Sequence, residues 1–312
     1  MSTGIAADPL CREHDTGPLH PESVARFDAI AGALEDAGLW EGLVKIETRS
    51  ATEAELGLCH TSDYISLAKY DILEGAPELA TGDTAVCERT WDAALRAAGS
   101  VFSAVDAVFS GQADNAFCLV RPPGHHASAA RGMGFCVFNN IALGARYAMK
   151  QKKIGRVLIV DWDVHHGNGT QDIFYEDDSV FVFDTHQSPW FPGTGTENET
   201  GVGEGKGTTM NCPVPAGAGR KEFTEVFEGK LLPAMEVFRP ELVMIAAGFD
   251  SRLGDPLGEL KLVDEDFAYL TKLVMEIARK HAGNRIISVL EGGYNHSGLA
   301  SATVAHLQAL MG

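Results

Sequence analysis

Five nearly unbroken apolar runs, each ending on a group of His, Asp, Glu or Tyr residues, constrain this chain more than any other feature. They cover 117–120, 157–160, 180–183, 242–246 and 286–290 and are rich in Val, Ile and Phe. The runs are continuous rather than alternating, which suits strands covered on both faces of a parallel sheet. Helical periodicity lies between and before them. Residues 22–37 carry Val24, Phe27, Ile30, Ala31 and Leu34 and stop at Gly38. Residues 91–109 carry Leu95, Ala98, Phe102, Val105 and Phe109 and stop at Gly111. Glycine just past the last periodic residue is a helix stop signal. Asp264 is placed to cap a third helix with the apolar face Phe267, Leu270, Val274 and Ile277. Strands alternating with helices predict an α/β fold, a single central, mainly parallel β-sheet with helices on both faces. Nothing in the 312 residues marks a linker, so one domain over 1–312 is expected. The Gly-, Thr- and Glu-rich stretch 188–207 reads as a long loop of the kind that often carries function.

Charge and cysteine usage narrow the function classes. A formal net charge of -18 repels phosphate backbones, so no nucleic-acid partner is expected, while cationic substrates would be attracted. The six cysteines form no CxxC pair and no zinc-knuckle or disulfide spacing. Reduced thiols in a cytoplasmic protein are the simplest reading. The N-terminus lacks a basic stretch followed by an apolar one. No uninterrupted apolar run approaches the ~18 residues that span a bilayer, so no membrane association is expected.

The chemistry gathers where the apolar runs end. The first leads into Arg121-Pro-Pro-Gly-His125-His126, the second into Asp161-Trp-Asp163-Val-His165-His166-Gly-Asn168. The others lead into Asp184-Thr-His186, Gly248-Phe-Asp250 and Glu291-Gly-Gly-Tyr294. Ligands of open α/β sheets bind at the carboxyl ends of the strands, so five strands deliver these groups to one edge. Asp163 and His165 are two residues apart, and on extended chain such positions point to the same side. Alone, the pair is as compatible with capping strand ends as with holding an ion. With Asp250 from another strand end, the set has three ligands and an open position, the arrangement of a catalytic zinc site. Such an ion polarises an amide carbonyl and lowers the pKa of bound water toward ~7. His125 and His126 follow a stiff turn and suit a proton shuttle and a charged or hydrogen-bonding neighbour. Gly292 and Gly293 give Tyr294 a hinge from which its phenol can reach a developing oxyanion.

Other chemistries lack their motifs. Gly205-Lys206 fails as a phosphate loop, because position 200 is Thr and position 207 is Gly. The chain has no HExxH and no GxSxG. Cys136 reads as a small buried hydrophobe rather than a nucleophile.

Taken together, RPPGHH (121–126), GMGFCVFNN (132–140), DWDVHHGNGTQ (161–171), FPGTG (191–195), AGFDSRLGDPLG (247–258) and LEGGY (290–294) resemble the histone deacetylase superfamily. The opening HDTGPLHPESVARFDAI (14–30) fits it as well, so the resemblance runs from about His14 to Tyr294. It implies the arginase–deacetylase fold and metal-dependent hydrolysis of N-acyl-lysine in proteins. Asp163, His165 and Asp250 match the metal ligands, His126 the general base and acid, and His125 the electrostatic neighbour paired with Asp161. Tyr294 matches the carbonyl-polarising tyrosine. Gly134 and Phe135 match one wall of the acyl-lysine tunnel, Phe191 the other, and Leu257 an apolar position near its rim. Asp161, Asp163, His165 and Asp184 match a potassium site, partly through backbone carbonyls. Asn168 stands where class I members carry Asp beside the base histidine, which makes the chain look like the class II type.

The resemblance implies Zn2+, with Fe2+ suited to the same donors, and K+ behind it. Acylated polyamines are an alternative substrate, although Leu257 replaces the acidic gatekeeper of the polyamine-selective form. Relatives also associate with themselves, so a homo-oligomer is compatible. An arginase-like pair of manganese ions is disfavoured, because Arg252 stands where a second acid would follow Asp250. An inactive binding module of the same fold would show a degenerate site, and His126, Tyr294 and all three ligands are present.

Overall fold

The computed structural model describes residues 1–312. Eight strands form one sheet: β1 (Thr3–Ala7), β2 (Val44–Lys45), β3 (Asn115–Leu119), β4 (Val157–Asp161), β5 (Val180–Asp184), β6 (Thr209–Asn211), β7 (Leu242–Ala247) and β8 (Ile286–Leu290). Their order is β2-β1-β3-β8-β7-β4-β5-β6, and every pairing is parallel. The five apolar runs are thus β3, β4, β5, β7 and β8, fully buried along their length. β1, β2 and β6 were not expected from the sequence. β2 and β6 are edge strands of two and three residues, and β1, TGIAA, has its two strand formers, Thr3 and Ile5, diluted by Gly and Ala.

The chain lays down β1 with β2 outside it and β3 inside it, then builds outward from β4 through β5 to β6, and β7 and β8 return to fill the gap between β3 and β4. The four central strands β3, β8, β7 and β4 therefore end side by side, where a doubly wound sheet reverses its order and opens a crevice. One continuous cluster of 81 buried apolar residues covers both faces of the sheet.

Helices Val24–Asp36 and Thr90–Ser110 lie where the periodicity puts them, with Gly38 and Gly111 at φ +67° and +77° just beyond. One of these helices bears on the membrane expectation, and a third helix corrects the capping expectation. Thr90–Ser110 is long and apolar enough by length and composition to cross a membrane, because scattered polar residues do not lower its average enough. It is instead 72% buried inside the fold over its most apolar window. Asp264 does not cap the helix Asp264–His281: Asp266 accepts from the Val263 amide at 2.9 Å. The Asp264 carboxylate is held by Arg252 at 2.6 and 3.2 Å.

Candidate active site

The strand ends meet in a pocket of about 280 Å³, lined by Asp83, His126, Gly134, Phe135, His165, Trp190, Phe191, Pro256, Leu257 and Tyr294. At its floor, donor atoms of Asp163, His165 and Asp250 lie within 4.8 Å of one another, all buried. His165 Nδ1 is 3.0 Å from Asp163 Oδ1 and 3.2 Å from Asp250 Oδ2. Metal–ligand distances of ~2.0–2.2 Å in a tetrahedral site put neighbouring donors about 3.3 Å apart, so the spacing fits a zinc-like ion. Backbone amides aim the carboxylates: Gly292 donates to Asp163 Oδ2 and Val164 to Asp250 Oδ1, both at 2.8 Å. Asp250 Oδ2 is buried without a hydrogen-bond partner, an orphan that a cation would satisfy. Burial and the Asp163 carboxylate push Asp250 up to about 7, a penalty a cation would reverse.

No side chain fits at Gly292. A Cβ there would collide with the carboxylates of Asp250 and Asp163. Gly134, at φ +56°, is pressed against the His126 ring in the same way.

The two adjacent histidines divide. His125 Nδ1 sits 3.0 Å from Asp161 Oδ2, and its Nε2 is 3.9 Å from Asp163 Oδ1. Burial opposes its charged form, but Asp163 and Asp161 outweigh that and raise it well above the usual imidazole range. His126 Nδ1 lies 2.8 Å from Asn168 Oδ1. Burial, with His125 and His165 nearby, pushes His126 well below the usual range. An N–H at Nδ1 donating to Asn168 leaves Nε2 as the acceptor edge. Burial raises the Tyr294 phenol well above its usual value, so it stays protonated.

Phe191, 41% exposed, packs its ring centroid 5.2 Å from His126, and Phe135 stands 6.0 Å from Tyr294. Leu257 lies at the rim, its carbonyl accepting from Trp190 Nε1 at 2.9 Å. Asp161 and Asp184 are register partners at the ends of β4 and β5. A Cβ on Gly167 would meet Asp161 Oδ2 at 2.5 Å and Asp184 Oδ2 at 3.2 Å, so both carboxylates face one narrow gap. Asp184 is further engaged by the Gly167 amide at 2.8 Å and His186 Nδ1 at 2.7 Å.

Several site residues escaped sequence reasoning. Glu291, which in the sequence reads only as a strand-end acid, accepts from the Gly124 and His125 amides at 2.7 and 3.1 Å and so fixes the histidine turn. Asp83 and Trp190 line the pocket without any motif to mark them, and Pro256 does so from within the segment 247–258. Arg26 Nε donates to Gly293 O at 2.7 Å, and its Nη2 donates to Glu291 O. Only its place in the 14–30 segment hinted at this.

This sheet, with such a pocket at its carboxyl edge, defines a hydrolase of the arginase–deacetylase fold acting on amides. The chain belongs to the histone deacetylase family: the histone deacetylase domain matches residues 20–310. It is 36% identical to a probable deacetylase of Archaeoglobus fulgidus, over 100% of this chain and 86% of that one. It is 34% identical to a histone deacetylase-like amidohydrolase of Pseudomonas aeruginosa, over 99% and 86%. The polyamine deacetylase HDAC10 of Homo sapiens is 39% identical over 93% of this chain but 44% of its own length. Among solved structures, the HDA15 HD domain superposes with a TM-score of 0.94 at 35% identity, covering 99% of this chain and 88% of that one.

Proposed function

We propose that the protein hydrolyses the amide of N-acyl-lysine, acetyl-lysine first, in proteins or peptides, with zinc as its ion. The observation that carries this reading is the meeting of a three-donor metal set, a histidine with a free Nε2 edge and a protonated phenol at the floor of one narrow apolar pocket. Asp163, His165 and Asp250 would hold the ion, and one nitrogen with two carboxylates suits zinc or ferrous iron. When bound, the ion polarises the amide carbonyl and acidifies water.

The chain's own groups do the rest. His126, kept neutral, takes a proton from the attacking water at Nε2. Asn168 holds the ring through Nδ1, and the same Nε2 returns the proton to the departing amine nitrogen. Tyr294 donates to the carbonyl oxygen as charge develops there. His125, paired with Asp161, is the charged neighbour of this transfer. Gly134 and Phe135 flank one side of the alkyl stem and Phe191 the other, with Leu257 at the rim. A potassium ion near Asp161, Asp163, His165 and Asp184 would relieve the crowding of buried carboxylates.

Acylated polyamines are the second reading. Asp83 favours it, as an exposed carboxylate on the pocket lining that suits an ammonium group. Turnover of acetyl-lysine peptides and acetylspermidine by metal-reconstituted protein separates the two. Hydrolysis of neither sinks both.

A further inference from the structure

Asp255 stands between two parts of the pocket that do different work. It is nearly buried, in the turn after β7. Its Oδ1 accepts from the Leu257 amide at 2.9 Å, on the rim. Its Oδ2 accepts from the amides of Tyr294 at 2.7 Å and Asn295 at 3.0 Å, in the turn after β8. One carboxylate thus gathers three backbone donors from two loops. The rim side continues outward, because the Leu257 carbonyl accepts from Trp190 of the 188–207 loop. The other side controls the phenol. Tyr294 follows Gly293 at φ +121°, a flexible joint held on its near side by Arg26 through the Gly293 carbonyl. On its far side the backbone is held by Asp255.

We propose that Asp255 is a positioning residue of the hydrolysis, tying the pocket rim at Leu257 to the backbone that aims Tyr294. This deepens the amide-hydrolase reading and rests on it. A substrate whose amine portion packs on Leu257 and Trp190 then steadies the phenol as well. The loss on removing Asp255 falls on kcat through Tyr294 and much less on KM.

Asp255→Ala removes all three bonds. Asp255→Asn keeps the volume but offers one acceptor oxygen, so it serves the rim or the Tyr294 side and not both. Both are measured alone and in a Tyr294→Phe background, on an acetyl-lysine peptide or acetylspermidine, whichever the wild type turns over. Removing an oxyanion donor outright costs ~10²–10³ in kcat, so the Asp255 variants should lose about tenfold or more and no more than Tyr294→Phe does. In the Tyr294→Phe background their further loss should shrink to within about twofold, because the two act as one unit. Hydrogen exchange of the 292–297 amides should accelerate in Asp255→Ala while the central strands keep their protection.

A loss that persists undiminished in the Tyr294→Phe background overturns the proposal, as does wild-type kcat in either folded variant. Should Asp255→Ala fail to fold, Asp255→Asn decides by the same cycle. A wild type that hydrolyses none of the acylated amines sinks the underlying reading. An active wild type with additive effects sinks only the role of Asp255.

Discussion

Two buried charge clusters lie within reach of Gly292 and Gly293, and they are built on opposite terms. In the first, Glu22 is enclosed by Arg121, Arg26 and His14. The remaining guanidinium donors end on carbonyls: Arg121 on Cys11 and His14, Arg26 on Glu291 and Gly293. Cations outnumber the acid, and the excess is absorbed by backbone oxygen. In the second, the buried carboxylates of Asp161, Asp163, Asp184 and Asp250 crowd around His125, His165 and His186, and Asp250 Oδ2 makes no hydrogen bond, its nearest polar neighbour being His165 Nδ1 at 3.2 Å. The first cluster is closed in charge, although His14 Nε2 makes no hydrogen bond and lies 3.4 Å from Glu22 Oε2; the second has acid to spare and is open to a cation. A buried ion network acts as a fastener when its own charges balance; one left short of positive charge is a binding site. The backbone between them is shared. Arg26 holds Gly293, while Gly292 donates to Asp163.

The largest expected effect breaks the open side. His126→Ala should lower kcat by ~10²–10⁴, the usual contribution of a positioned acid–base group. Its melting temperature and bound-metal content should stay near wild type, because His126 is not among the three ligands. Turnover that survives would mean that another group moves the proton. Next in size is a break of the closed side. Glu22→Gln leaves two buried guanidiniums without their counter-charge, which costs about 3–5 kcal/mol of stability. Urea titration reads it. Metal content at saturating zinc should be unchanged, and a variant as stable as wild type would show that the carbonyls alone suffice.

The two clusters also differ in how far the sequence revealed them. The open one was legible because its members sit directly after strongly apolar strands, two residues apart or next to glycines. The closed one was legible only as members of the segments 14–30 and 121–126, not as a cluster. Glu22 and Arg26 are four residues apart at a helix start, a spacing that usually marks a solvated surface pair, and their burial comes from packing against segments about 100 and 270 residues away. Asp255 lies inside the quoted segment 247–258, but nothing in the sequence shows that its carboxylate reaches the turn after β8. The central strands declared themselves by burial on both faces, while β2 and β6 are too short, and β1 too diluted by Gly and Ala, to stand out from loop.

A smaller effect distinguishes the clusters by pH. Burial alone would raise Glu22, but Arg121 and His14 hold it well below its ordinary value of 4.5. Its contribution to stability is therefore complete above about 4.5 and is lost as pH falls through the depressed folded value. Burial opposes charge on His14 too, yet Cys87 and Glu22 raise it above its ordinary 6.5. That part is complete below 6.5 and is lost as pH rises through the raised value. The stability gap between wild type and Glu22→Gln should be widest between about 4.5 and 6.5 and narrow most on the acid side. A gap that is flat with pH would mean that Glu22 does not act as an ion.

The smallest change adds one charge to the open side. Asn168 accepts from His126 Nδ1 with an uncharged amide, and His126 is held low by burial and by His125 and His165. Asn168→Asp puts a carboxylate in the same place. An opposite charge at hydrogen-bond distance stabilises the imidazolium, which raises a pKa by ~1–3 units. The base must be neutral to accept a proton, so the ascending limb of kcat/KM against pH should move to higher pH by about one unit or more. Activity at alkaline pH should stay near wild type, since there the ring is neutral in both proteins. The variant therefore separates charge from geometry: Asp keeps the acceptor oxygen and changes only its charge. An unmoved limb would show that the titrating group in the profile is not His126, and that the neutrality this chain builds around its histidine serves something other than its proton.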